Sequence, residues 1–219
     1  MLKAVFMDYT GTTVQERGED IEHAVAYICR HSDLKDPKDV LAQWWGRVKT
    51  YESESYGEKY RTEDEIVDCI LKELQDEFHL TGDLSKIHRF VQGFWVNAPL
   101  FPDVKPFFER CPVPVYLLTN DGESYVKQAL EQNGLSPAGV VCADSVRAYK
   151  PHKELFFKAL ERSGAAADEV VHIGDSYTSD VCGAREAGIR PILVQRTPGK
   201  AYPGVLCVRS LADIDFSAL

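Results

Sequence analysis

The apolar positions follow two different periods, and the change between them divides the chain. Leu2 to Met7 is a short, mostly apolar run that reads as a buried parallel strand; it ends in Asp8, with Gly11, Thr12 and Thr13 close behind. From about Gln15 to Trp95 a helical period takes over. Ile21, Ala24, Val25 and Ile28 form one stripe, Val40, Leu41, Trp44, Trp45 and Val48 a second. Ile66, Ile70, Leu74 and Phe78 form a third, and Leu84, Ile87, Phe90, Val91 and Phe94 a fourth. Asp36-Pro37 predicts an N-cap with proline in the first turn, and Thr62 with Glu65 predicts a capping box. From Ala98 onward strands and helices alternate. The strands are Val113–Leu118, Val140–Cys142, Val170–Ile173, Ile189–Val194 and Val205–Val208. The helices between them begin near Ser124, Pro151 and Ser179 and stop at Gly134, Gly164 and Gly188.

Repeated strand–helix units require a parallel sheet with helices on both faces. The expected fold is α/β: a Rossmann-like three-layer parallel-sheet core built from residues 1–14 and 98–219, with an α-helical cap, residues 15–97, inserted after the first strand. An insertion at that point hangs over the carboxyl ends of the strands, where open parallel sheets place their chemistry, and it reads as a lid.

Composition narrows the function classes. The net charge of −9, with no long basic run, argues against nucleic acid or an anionic membrane as partner. No apolar run approaches the ~20 residues of a bilayer span. Six scattered cysteines without a CxxC pair read as free thiols of a reducing compartment, and a strand beginning at residue 2 leaves no room for a leader. A cytoplasmic protein is expected, a monomer or homodimer. The six histidines show no ligand spacing. Trp44, Trp45 and Trp95 read as packing at helical spacing, with the lining of a substrate pocket as the alternative, and Glu52, Glu54, Glu58, Lys59 and Arg61 as a solvated face or a mobile loop of the cap that contacts substrate if the cap closes.

The carboxyl ends of the strands carry Asp8, Thr119-Asn120 and Gly174-Asp175, and Lys150 lies in the loop before a helix. In a parallel sheet these ends share one edge. Asp8 can act as a nucleophile. Asp8 and Asp175 can share a hard divalent cation, Mg²⁺, which carboxylates and phosphate oxygens suit. Thr119 and Lys150 can bind the remaining phosphoryl oxygens.

This set resembles the haloacid dehalogenase superfamily of phosphohydrolases. Asp8-Tyr-Thr-Gly-Thr12 matches its first motif and Thr119 its second. Lys150, with Pro151 and Glu154-Leu-Phe156, matches the third, and Gly174-Asp175 through Asp180, with Gly183-Ala184 behind it, the fourth. The resemblance implies an aspartyl intermediate on Asp8 and Mg²⁺ held by Asp8, the backbone carbonyl of Thr10 and Asp175. It places Asp180 behind those ligands or bridged to the metal through water, and it gives Gly11 and Asn120 a part in positioning the phosphoryl group. The substrate it implies is a small phosphorylated metabolite.

Position 10 departs from the pattern. Most phosphatases of that superfamily carry a second Asp there, as acid and then base; here it is Thr10, whose hydroxyl has no useful pKa near neutrality. One reading is a phosphatase that borrows the group from the cap or from Asp121. A second resembles phosphonoacetaldehyde hydrolase, which has a small residue there after an aromatic one, as in Tyr9 and Gly11-Thr-Thr-Val14, and uses a cap lysine, for which Lys49 and Lys59 are candidates. A third is a haloacid dehalogenase, which needs no metal and against which the intact Gly174-Asp175 argues. A non-catalytic binder that keeps the fold is the fourth.

Overall fold

The computed structural model describes residues 1–219. Six strands form one parallel sheet in the order β3-β2-β1-β4-β5-β6: β1 Ala4–Asp8, β2 Val115–Thr119, β3 Gly139–Cys142, β4 Val170–Gly174, β5 Arg190–Val194 and β6 Leu206–Val208. Every residue of β1 and β4 is buried, which accounts for runs without polar alternation. Each large apolar side chain taken from water there contributes about 1.5–3 kcal/mol. This α/β, Rossmann-like order reverses direction at β1, so the crevice outside the ends of β1 and β4 is the topological switch point.

Four helices intervene between β1 and β2: α1 Glu19–His31, α2 Pro37–Glu54, α3 Glu63–Phe78 and α4 Leu84–Asn97. Their starts follow the sequence signals. Asp36 accepts from the Lys38 N–H with Pro37 in the first turn, and Thr62 and Glu65 close a full capping box. The apolar stripes of α1, α3 and α4 are buried and continuous with the core of the sheet, and α4 packs on α6, Glu123–Asn133. α5, Val104–Arg110, precedes β2, and α7, Lys153–Ser163, precedes β4. A π-helical turn, Tyr177–Cys182, runs into the short α8, Gly183–Glu186.

Two elements differ from the sequence expectation. α5 was not anticipated, because seven residues with Pro106 among them show no two-turn stripe. The helix expected from Ser179 begins at Tyr177 as a π turn; this wider winding follows directly on Asp175 and carries Asp180 inward. No helix is long and apolar enough to cross a membrane.

Candidate active site

β1 delivers Asp8 to the switch point, 5% exposed. The chain then turns tightly: Thr13 N–H donates to the Tyr9 carbonyl at 2.7 Å, Gly11 N–H to Val14 at 2.8 Å, and the Thr13 hydroxyl to the Asp8 carbonyl at 2.7 Å. Gly11 sits at φ +92°, and a Cβ there would lie 2.6 Å from the Asp175 carboxylate. Only glycine permits both the turn and that approach. Gly11→Ala is therefore expected to displace Asp175, costing about 1–3 kcal/mol of stability; thermal denaturation checks it, and an unchanged Tm would contradict it.

Asp175 follows β4 and is half-buried, with Thr12 Oγ1 donating to its Oδ1 at 3.3 Å. Asp180 packs back over Gly174, where a Cβ would clash with its carboxylate at 2.1 Å. Its Oδ2 accepts from the Ser176 N–H at 3.0 Å. Lys150, 4% exposed, places Nζ 2.5 Å from Asp8 Oδ1 and 2.7 Å from Asp180 Oδ1. The other Asp8 oxygen, Oδ2, is buried and has no hydrogen-bond partner.

Charge at this end is unbalanced. Burial raises the Asp8 carboxyl well above the usual range; Lys150 opposes this, while Asp180 and Asp175 add to it. Burial, then repulsion from Asp180, pushes Asp175 up to about 7. Burial acts the same way on Asp180, but Lys150 and His172 outweigh it and hold that carboxyl low. Burial works against the Lys150 ammonium, yet Asp180 and Asp8 keep its proton on. Ligand oxygens of Asp8, Asp175 and Asp180 lie within 4.8 Å of one another. A buried bare oxygen inside a converging carboxylate trio is a donor set that fits a hard divalent cation.

Thr119 ends β2, fully buried, and its hydroxyl donates to Asp121 Oδ2 at 2.6 Å. The Thr10 hydroxyl donates to the same oxygen at 2.8 Å. Asn120 spends its side chain elsewhere: Oδ1 accepts from the Lys150 N–H at 2.8 Å, and Nδ2 donates to Glu52 at 3.0 Å. Any part it takes in phosphoryl binding falls to its backbone. Asp8, Thr10, Thr119, Asn120, Lys150, Asp175 and Asp180 all line one cleft of about 380 Å³ between the sheet edge and α2–α4; Gly11 packs beside Asp175.

Several neighbours were not anticipated. His172 is fully buried with Nε2 2.9 Å from Asp180 Oδ1, and Nδ1 has no partner. The proton therefore sits on Nε2, since an orphaned buried N–H is the costlier choice. A lone histidine inside an apolar strand carried no signal of this. Glu52 leaves the solvated face expected for it and turns into the cleft, and Glu63 accepts from the Gly122 N–H at 2.9 Å. Trp44 is buried packing as expected, while Trp45 and Trp95 also wall the cleft. Lys49 reaches the cleft; Lys59, on the exposed turn after α2, does not line it.

The family model for haloacid dehalogenase-like hydrolases matches residues 2–188. The phosphoserine phosphatase of Thermus thermophilus is 34% identical over 103 residues, 45% of this chain and 41% of that protein. The curated relatives are matched over 18% to 41% of their own length. Among solved structures, the putative HAD-hydrolase YfnB from Bacillus subtilis, bound to magnesium, superposes with a TM-score of 0.76 at 20% identity, covering 97% of this chain and 96% of that one. The L-2-haloacid dehalogenase from Xanthobacter autotrophicus gives 0.77 at 18% identity, covering 97% and 96%. At these identities the likeness is one of fold.

Proposed function

The chain belongs to the haloacid dehalogenase-like hydrolase family, and from that premise we propose that it is a Mg²⁺-dependent phosphatase of a small phosphorylated metabolite, with residues 15–97 as a cap over a core of residues 1–14 and 98–219. The observation that carries this reading is Asp8, pinned by Lys150 through one oxygen and bare at the other, beside two more converging carboxylates. Asp8, Asp175 and the Thr10 carbonyl would hold the cation, with Asp180 adjoining. When bound, Mg²⁺ offsets the carboxylate charge that otherwise opposes an anionic ester.

A carboxylate oxygen of Asp8 attacks phosphorus, the P–O bond to the alcohol breaks, and an aspartyl phosphate forms; water then cleaves it and restores Asp8. Lys150 has a third N–H beyond its two carboxylates, free for a phosphoryl oxygen. Thr119 sits beside it at the strand end. Closure of the insertion over the cleft would exclude bulk water. Proton transfer to the leaving oxygen falls to Asp121, which stands one hydrogen bond from the Thr10 side chain, where the family's second Asp would begin. Asp121→Asn is expected to lower kcat about 10²–10⁴-fold for alkyl esters, and far less for p-nitrophenyl phosphate, whose leaving group needs no proton. Equal losses on both ester types would remove Asp121 from that step.

The reading is tested by hydrolysis of a panel of phosphate esters and phosphonoacetaldehyde, with Mg²⁺ and with EDTA, for wild type and Thr10→Asp. Mg²⁺-dependent ester turnover, raised in Thr10→Asp, supports it. One observation favours a second reading: Lys49, and not Lys59, lines the cleft with Asp8 and Thr10, as a Schiff-base lysine acting on phosphonoacetaldehyde must. Consumption of that compound alone, with borohydride trapping at Lys49, selects it. Silence across the panel selects a non-catalytic binder.

A further inference from the structure

Beyond the phosphoryl end the cleft is walled by the insertion, and the charge there is one-sided. Glu52, in the last turn of α2, and Glu63, in the first turn of α3, face it together with Trp45 and Trp95. Each glutamate is tied to the core by one neutral donor, Asn120 Nδ2 for Glu52 and the Gly122 N–H for Glu63, and neither forms an ion pair. Lys150 is committed to Asp8 and Asp180, which leaves Lys49, at the exposed mouth, as the other cation of the cleft. Burial pushes Glu52 up to about 7, with Asp121 adding to it against Asn120, Lys150 and Lys49. Burial, then Asp121 and Glu52, raise Glu63 well above its usual range. These two carboxyls are short of a counter-charge.

A second metal is a poor counter-charge. Asp8, Asp175 and Asp180 form the one trio of ligand groups whose atoms converge within 4.8 Å, and Glu52 and Glu63 belong to no such trio. An organic ammonium suits the place better. Its N–H groups can reach carboxylates that do not converge on one point, and indole faces attract a cation within about 6 Å of the ring. Because the cleft is continuous from Asp8 to these side chains, a group seated here belongs to the alcohol that leaves.

We propose, resting on the phosphatase reading, that the substrate is a phosphate ester whose leaving alcohol carries a protonated amine, seated against Glu52 and Glu63 beside Trp45 and Trp95. An ester of equal size without the charge leaves two carboxyls unpaired, and a site built to pair a polar group rejects the analogue lacking it far more strongly than a pocket that merely fits it.

The test compares O-phosphoethanolamine with its neutral isostere n-propyl phosphate, with p-nitrophenyl phosphate as reference, on the full chain with Mg²⁺. The ratio of kcat/KM for the ammonium ester over the neutral one is expected to be about tenfold or more in wild type, falling toward one in Glu52→Gln, Glu63→Gln and the double variant. A wild-type ratio near one, with the aryl ester turned over, overturns the ammonium site and leaves the phosphatase reading standing. A wild-type preference that survives in both variants overturns the assignment to Glu52 and Glu63. Inertness toward all three esters overturns the phosphatase reading and this inference with it.

Discussion

Asp8→Asn is expected to abolish turnover, lowering kcat by about 10⁴-fold or more, while the protein stays folded and melts no lower than wild type. The activity loss follows from chemistry: a carboxamide cannot attack phosphorus as a carboxylate does. The melting behaviour follows from electrostatics. Burial and the neighbouring Asp180 and Asp175 raise the Asp8 carboxyl despite Lys150. A carboxyl whose folded pKa lies above its unfolded one contributes stability at low pH, and that contribution is lost as pH rises through the folded value. At high pH without metal, the Asp8 carboxyl is therefore a burden, and the amide relieves it while still accepting from Lys150. The measurement pairs single-turnover hydrolysis with thermal denaturation at pH 5 and pH 8. Wild type gains stability relative to the variant as pH falls. Residual kcat within tenfold of wild type would remove Asp8 as nucleophile, and a large drop in Tm would show that folding, not chemistry, had been lost.

How much the sequence discloses depends on whether a group's place is fixed locally or by contacts at a distance. The strand-end groups were legible because their positions follow from local rules. An apolar run that stops at Asp8, or at Gly174-Asp175, places the next residue on the sheet edge whatever surrounds it. The capping box at Thr62 and the proline start at Pro37 are equally local, and both form. The groups that escaped reading owe their roles to contacts far apart in sequence. Glu52 meets Asn120 68 residues away, and Glu63 meets Gly122 across 59. Nothing near Glu52 separates it from Glu54 and Glu58, which remain exposed. Lys49 and Lys59 are likewise alike in sequence, yet Lys49 lies on α2 and lines the cleft while Lys59 lies on the turn after that helix and does not. His172 is hidden for another reason: its signal is a hydrogen bond within the core, and an isolated histidine in a strand has no periodicity to betray it.

Lys150→Met carries the largest expected effect on stability. Its ammonium is the one fixed positive charge against Asp8 and Asp180, at 2.5 and 2.7 Å, and all three side chains are buried. Replacing a buried ion pair whole by apolar groups is often tolerated, but removing one partner leaves the other charges uncompensated and costs about 3–5 kcal/mol. For a chain of this size that is a fall in Tm of roughly 6–20 °C at pH 8. The lysine itself stays protonated across pH 5–8, since its folded pKa is raised and its unfolded one already lies near 10.4. The pH dependence therefore comes from the carboxyls. Without Lys150 to lower them, the folded pKa values of Asp8 and Asp180 rise, so the variant is hurt most at pH 8 and recovers as protonation neutralises the cluster at pH 5. If Mg²⁺ binds as proposed, it supplies charge at the same place and is expected to raise the variant's Tm by more than it raises that of wild type. Turnover is expected to stay low even so, because the N–H proposed to reach the phosphoryl group is gone; removal of one such donor costs about 10²–10³-fold in kcat. A Tm deficit equal at pH 5 and pH 8 and indifferent to Mg²⁺ would mean that Lys150 acts through packing alone, and the electrostatic account of the site would fail with it.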